Sequence, residues 1–125
     1  MISGPADQAL GWTLLSARER TTVKKAYHAA NISLIVSAFG STDVPTSTGA
    51  DPRSTAHKLA TYVSQYNLDG VDVDYEDFNA FDKGDGSAEG WLIAFTTTLR
   101  SALPKGAILS HARKCLTNFD VRYKY

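Results

Sequence analysis

Hydrophobic positions along the chain switch repeatedly between a helical and a strand period, which predicts an α/β protein rather than separate helical and sheet blocks. Ser16-Ala17-Arg18-Glu19 is a capping box, and Val23, Ala26, Tyr27 and Ala30 then repeat on one face, so a helix is expected over residues 17–30. Trp12 falls in a loop before it. Ile32-Ser33-Leu34-Ile35-Val36-Ser37-Ala38-Phe39 is rich in β-branched and apolar residues and stops at Gly40, the pattern of a strand buried on both faces. Residues 41–50 are a loop of Ser, Thr, Gly and Pro, after which Asp51 caps a helix with Pro52 at its first position. Ala56, Leu59, Ala60 and Val63 form the buried stripe of that helix.

A second strand is expected from Leu68 to Tyr75 or Glu76, followed by a polar loop through Asp82, Gly84, Asp85 and Gly86. A third helix begins near Ser87, turns Trp91, Phe95, Thr98, Leu99 and Ala102 inward, and is ended by Pro104 and Gly106. Ala107-Ile108-Leu109-Ser110 is the third strand. Each strand-to-strand connection is long enough for a helix and too long for a hairpin, so the three strands run parallel. Residues 1–112 form the domain, and residues 113–125, which show neither period clearly, form a divergent tail.

Composition narrows the choices. A length of 125 residues suits one domain. Thirteen Lys and Arg balance 13 Asp and Glu with no basic cluster, which leaves no electrostatic footprint for nucleic acid or an anionic membrane. Cys115 is the single cysteine, so neither an intrachain disulfide nor a Cys/His zinc site is expected, and no cofactor or metal is implied. No apolar run approaches the roughly 20 residues of a membrane span, and Met1-Ile2-Ser3-Gly4-Pro5 lacks a signal-peptide pattern. A soluble chain without an export address is expected.

The segment Leu68-Asp69-Gly70-Val71-Asp72-Val73-Asp74-Tyr75-Glu76 carries the chemistry. Side chains alternate along a strand, so Asp72, Asp74 and Glu76 share one face while Val71, Val73 and Tyr75 share the other. Neighbouring carboxylates in such a row are roughly 7 Å apart, and two full charges at that separation repel by about 2 kcal/mol at an effective dielectric near 20. The repulsion is relieved when one of them holds a proton, giving one acid and one base. Glycoside hydrolysis needs such a pair, an acid to protonate the leaving oxygen and a group to stabilise the cationic sugar. Two other readings of the row stand beside it: an edge strand with a wetted face, and a divalent-cation site built from Asp72, Asp74, Glu76 and Asp77. An EF-hand counted from Asp72 fails, because its sixth and twelfth positions hold Asp77 and Lys83.

Asp69-Gly70-Val71-Asp72-Val73-Asp74-Tyr75-Glu76 resembles the DGxDxDxE signature of glycoside hydrolase family 18, the chitinases and related endo-β-N-acetylglucosaminidases, at every defining position. Ser37-Ala38-Phe39-Gly40 resembles the family's SxGG motif, with Phe39 in place of the first glycine. Asp77-Phe78-Asn79-Ala80, the Asp/Gly loop and Trp91-Leu92-Ile93 are similar to fungal members, so the resemblance spans the chain from near Ala6 to Ala112.

The resemblance implies that Glu76 is the general acid, that Asp74 orients and stabilises the substrate's 2-acetamido group, and that Asp72 shares a proton with Asp74. The acetamide oxygen is then the nucleophile, forming an oxazolinium ion that water opens with retention, so no protein nucleophile is required. Ser37, Phe39, Gly40 and Tyr75 are the implied substrate-binding positions, although strand parity by itself turns Tyr75 toward a helix. Asp69 and Gly70 are expected to be structural. The implied substrate is chitin or another N-acetylglucosamine oligosaccharide, and the implied location is extracellular.

The implied fold is a (β/α)8 barrel, which typically takes about 250 residues. This chain has half that length, so a partial barrel of three parallel strands is expected, equivalent to the third to fifth strands, in a truncated product whose unpaired sheet edges favour self-association. A chitin-oligosaccharide-binding protein without turnover and a metal-binding α/β module are the alternative functions.

Overall fold

The computed structural model describes residues 6–112. Helices α1 (Ala6–Leu14) and α2 (Ala17–Ala29) lead into strand β1 (Ile35–Phe39), helix α3 (Pro52–Gln65), strand β2 (Gly70–Asp74), the short helix α4 (Phe78–Asp82), helix α5 (Ser87–Ala102) and strand β3 (Ile108–His111). The strands form one parallel sheet in the order β1-β2-β3. This is a small α/β domain with its longest helices in the β-to-β connections, as the alternation of periods requires.

Local signals act where they stand. Ser16 Oγ accepts from the Glu19 N–H while Glu19 Oε2 accepts from the Ser16 N–H, closing the capping box. Asp51 Oδ1 accepts from the Ser54 N–H at 2.7 Å, with Pro52 opening α3. Leu103 follows the end of α5 in extended backbone, ahead of Pro104.

Tertiary packing is concentrated on one side of the sheet. Val71, Val73 and Tyr75 meet Ala56, Ala60 and Val63 of α3 and Ala88, Trp91, Phe95 and Leu99 of α5 in a single core. Fully burying a valine, leucine or phenylalanine contributes roughly 1.5–3 kcal/mol, so Val71, Val73, Phe95 and Leu99 carry much of the stability. Trp91 stacks on Phe95 at 5.0 Å between ring centroids, and its Nε1 donates to the Ala50 carbonyl at 2.7 Å.

Among the described residues, no helix covers the opposite sheet face. This corrects the expectation that β1 is buried on both faces: Ile35 and Ser37 are exposed, while Val36 and Ala38 are half-buried toward the helices. The stripe expected on α2 is also left open, since none of its residues is buried and Ala26, Tyr27 and Ala30 are exposed. Polar contacts hold α2 instead: Lys24 and His28 both reach Asp69, and Arg20 lies over the Tyr66 ring. Helix α1 takes the place of the expected loop, tied down by Trp12 Nε1 donating to the Tyr66 carbonyl and Tyr62 Oη donating to the Ala9 carbonyl. Helix α4 is likewise a single turn set within a stretch expected to be loop.

Gly70 is required by the close approach of β3. A Cβ built there would stand 2.1 Å from the Ile108 carbonyl oxygen. Gly70→Ala is therefore expected to cost at least about 3 kcal/mol by forcing β2 and β3 apart. Gly90→Ala, in a helical position with nothing within 4 Å, is expected to stabilise by about 0.5–1 kcal/mol. Urea denaturation of both variants checks the pair; equal stabilities would contradict it.

Candidate active site

The parity of β2 continues past its last paired residue. From Val71 to Asp77 buried and half-buried residues alternate without a break, so Asp72, Asp74 and Glu76 share the uncovered side while Val71, Val73, Tyr75 and Asp77 take the core side. The row runs from Asp72 in the middle of β2 to its carboxyl end at Asp74, and Glu76 lies in the segment beyond β2 rather than in the ladder itself.

Neighbouring strands supply the surroundings of the row. Register sets Ser37 and Ser110 on either side of Asp72, and Ser110 Oγ donates to Asp72 Oδ1 at 2.7 Å. Phe39 lies beside Asp74, and the Gly40 N–H donates to the Asp74 carbonyl at 2.8 Å. A Cβ at Gly40 would come within 4.0 Å of Asp74 Oδ2, and Gly40 has φ +79°, so glycine both permits the turn and leaves the carboxylate uncovered.

Phe39 has φ 81°, a conformation costly for a residue with a bulky side chain. The twist turns its ring away from the open face and into the core, edge-on to Tyr75, Trp91 and Phe95 at centroid distances of 6.2, 5.5 and 5.2 Å. Edge-to-face pairs contribute about 0.5–1.5 kcal/mol each beyond area burial, enough to offset the backbone strain. Phe39 and Tyr75, two of the implied substrate-binding positions, both place their rings in or against the core. Tyr75 is 8% exposed, and its hydroxyl shares a 2.6 Å hydrogen bond with Thr46 Oγ1. Burial, more than the neighbouring charges of Asp77 and Glu89, pushes its phenol above the ordinary tyrosine range.

The loop after β1 is fastened from beneath. Asp77 is fully buried, with its carboxylate accepting from the Ser47 N–H at 2.7 Å, Ser47 Oγ at 2.6 Å and the Ala80 N–H at 3.3 Å. Burial alone would raise its pKa, but the hydrogen bonds from Ser47, Ala80 and Thr46 outweigh it and hold Asp77 below the usual carboxylate range. Asp77, Tyr75 and Trp91 thus anchor Ser47, Thr46 and Ala50 in turn, fixing the loop beside the acid row. The four-carboxylate metal set is not assembled, because Asp77 faces the core and its oxygens are engaged. Among the described residues no group of three or more His, Cys, Asp or Glu is placed to hold a metal ion.

Asp69 stands at the other end of β2, where its carboxylate binds Lys24 Nζ and His28 Nε2 at 2.8 Å each and accepts from the Leu34 N–H at 2.7 Å. Burial opposes ionisation here too, yet these partners keep it below the ordinary aspartate range. Sequence reasoning missed Ser110 and Ser47 as partners of acids. Only strand register reveals the first, whereas the parity that buries Tyr75 could have marked Asp77 as a core anion in need of donors.

Asp72, Asp74 and Glu76 are half-buried. One depression of about 390 Å³ lies at the opposite end of the sheet among His28, Asn31, Asp69 and Ile108, and another of about 480 Å³ lies beside β3 and α5. Neither includes Asp72, Asp74 or Glu76. No helix among the described residues is long and apolar enough to cross a membrane. No family model, curated protein or solved structure matches the chain.

The hydrogen bonds of Asp77 and Asp69 set an acid limb for stability. Both have folded-state values below the unfolded one, so their contribution is complete above about pH 4 and is lost as pH falls through the folded values. Urea midpoints should therefore fall below about pH 4, and Asp77→Asn and Asp69→Asn should each make that fall shallower. An unchanged acid limb in both variants would refute the assignment.

Proposed function

We propose that the chain is a glycoside hydrolase domain of chitinase type, acting on β-1,4-linked N-acetylglucosamine, and that its sheet is the third-to-fifth-strand portion of a family 18 type barrel. The observation that carries this reading is the row Asp72, Asp74 and Glu76 running to the carboxyl end of the central parallel strand, on the side that no helix covers among the described residues. In barrel enzymes the reacting groups come from the carboxyl ends of strands, and the spacing of the row is that of the DGxDxDxE signature. The uncovered face, with half-exposed Ile35 and Ile108, suits a sheet whose second side closes on further strands.

In this mechanism Glu76 donates its proton to the glycosidic oxygen as the bond to the anomeric carbon breaks. The acetamide oxygen of the same sugar attacks that carbon, and Asp74 orients the acetamide and stabilises the positive charge on its nitrogen. Asp72, hydrogen-bonded to Ser110, supports Asp74 from the next position in the row. Glu76, now a carboxylate, removes a proton from the water that opens the oxazolinium ion, and configuration is retained. Gly40 leaves room for the sugar against Asp74. Among the described residues the outer edges of β1 and β3 are unpaired, which favours self-association of the chain.

A chromogenic chitobioside tests the reading. Turnover is expected, and Glu76→Gln should lower it by about 10²- to 10⁴-fold with the circular dichroism spectrum and oligosaccharide binding retained. Saturable binding without any turnover by the native chain would instead support a sugar-binding protein and sink the hydrolase assignment.

A further inference from the structure

The turn that joins α2 to β1 carries a pattern that the fold explains only in part. Of the four asparagines in the chain, Asn31 alone is followed two residues later by a hydroxyl residue, Ser33, and the residue between them, Ile32, is not proline. Asn-X-Ser/Thr with any residue but proline in the middle is the acceptor sequence for an N-linked oligosaccharide, a bulky attachment that needs a surface position.

Asn31 closes α2 in a Schellman arrangement. Its N–H donates to the His28 carbonyl at 3.0 Å, the Ile32 N–H donates to the Tyr27 carbonyl at 2.9 Å, and its φ is 59°. Asn67 does the same after α3: its φ is 54°, and the N–H groups of Asn67 and Leu68 donate to the Ser64 and Val63 carbonyls. A left-handed cap therefore accounts for an asparagine at both places. The rest differs. Asn67 is followed by Leu68-Asp69, and its Oδ1 accepts from Lys24 Nζ at 3.1 Å, so its side chain ties α2 to the turn before β2. Asn31 and Ser33 are both exposed, and among the described residues neither side chain has a hydrogen-bond partner. The cap asks nothing of Ser33, and the hydroxyl that completes the acceptor sequence is the feature the turn leaves unexplained.

The surroundings suit a saccharide. Asn31, Ser33, Ile32 and Ile108 line the depression of about 390 Å³ at the amino ends of the strands. Ile32 and Ile108 are 48% and 39% exposed, an apolar surface that a polar chain tethered at Asn31 can cover. The acid row runs toward the other end of β2, so an attachment here leaves Asp74 and Glu76 unobstructed.

We propose that Asn31 is the acceptor of an N-linked oligosaccharide. The donor class is a polyprenyl-pyrophosphate-linked oligosaccharide that ends in N-acetylglucosamine. Asn31 Nδ2 bonds to the anomeric carbon of that sugar, the bond from the carbon to the pyrophosphate oxygen breaks, and the lipid pyrophosphate leaves with the electron pair while the amide gives up one proton. The assignment is independent of the glycosidase reading, because it uses the far end of the sheet and none of the acids.

Translation of the full chain behind a cleavable leader, in the presence of endoplasmic-reticulum microsomes, tests it on the protease-protected product. One glycan is expected, released by peptide-N-glycosidase F in ¹⁸O-labelled water with the label appearing at position 31. Ser33→Thr should keep it, and Ser33→Ala should abolish it. Asn31→Gly should abolish it as well, with the fold retained, because glycine is the favoured residue at a left-handed cap. The glycosylated chain should keep the circular dichroism spectrum of the unmodified one. A protected native chain without a glycan overturns the proposal, as does a glycan that persists in Ser33→Ala or a spectrum that collapses on modification.

Discussion

The alternation of side chains along β2 is the constraint from which the rest of the structure follows. Val71, Val73 and Tyr75 cannot reach the helices without sending Asp72, Asp74 and Glu76 the other way, because the pleat admits no other arrangement. A slip of one residue would bury three carboxylates beneath α3 and α5 and expose two valines, an exchange too costly to be populated. The same rule that builds the core therefore gathers the acids, and the hydrophobic effect on one face bears the cost of crowding like charges on the other.

Beyond the strand, hydrogen bonds continue what the ladder began. Asp77 has the parity of a core residue but the chemistry of an anion, and the conflict is resolved by donors from Ser47 and Ala80. Those bonds join the turn after β2 to the loop after β1, with Tyr75 and Trp91 adding ties to Thr46 and Ala50. Removing one partner of a buried, fully bonded carboxylate leaves desolvated polar groups behind, so this junction is costly to break although it contains little regular structure. Asp69 plays the equivalent part at the other end of β2, where it attaches a helix with no buried face of its own.

The element order, the caps at Ser16 and Asp51, the stripes of α3 and α5 and the facing of the acid row were legible in the amino-acid pattern because each arises from contacts close in sequence or from strand parity. The openness of β1 and α2 was not. An apolar run such as Ile32–Phe39 records what the chain is able to bury, whereas the layers available to bury it depend on elements elsewhere. Nor could sequence reveal the turned ring of Phe39, since a positive φ at a bulky residue breaks the local rule and is sustained only by Tyr75, Trp91 and Phe95 gathered from distant positions. Ser110 beside Asp72 belongs to the same class, a pairing 38 residues apart that only register creates.

The backbone twist at Phe39 has an optical consequence. Its ring rests edge-on against the Trp91 indole, and the next residue, Gly40, lies beside the Asp74 carboxylate. Any molecule that presses on Gly40 must shift a peptide unit whose neighbouring side chain is in van der Waals contact with a fluorophore. Trp91, 7% exposed behind the sheet, is therefore the indole in which a displacement of Gly40 would be read, against the background of Trp12.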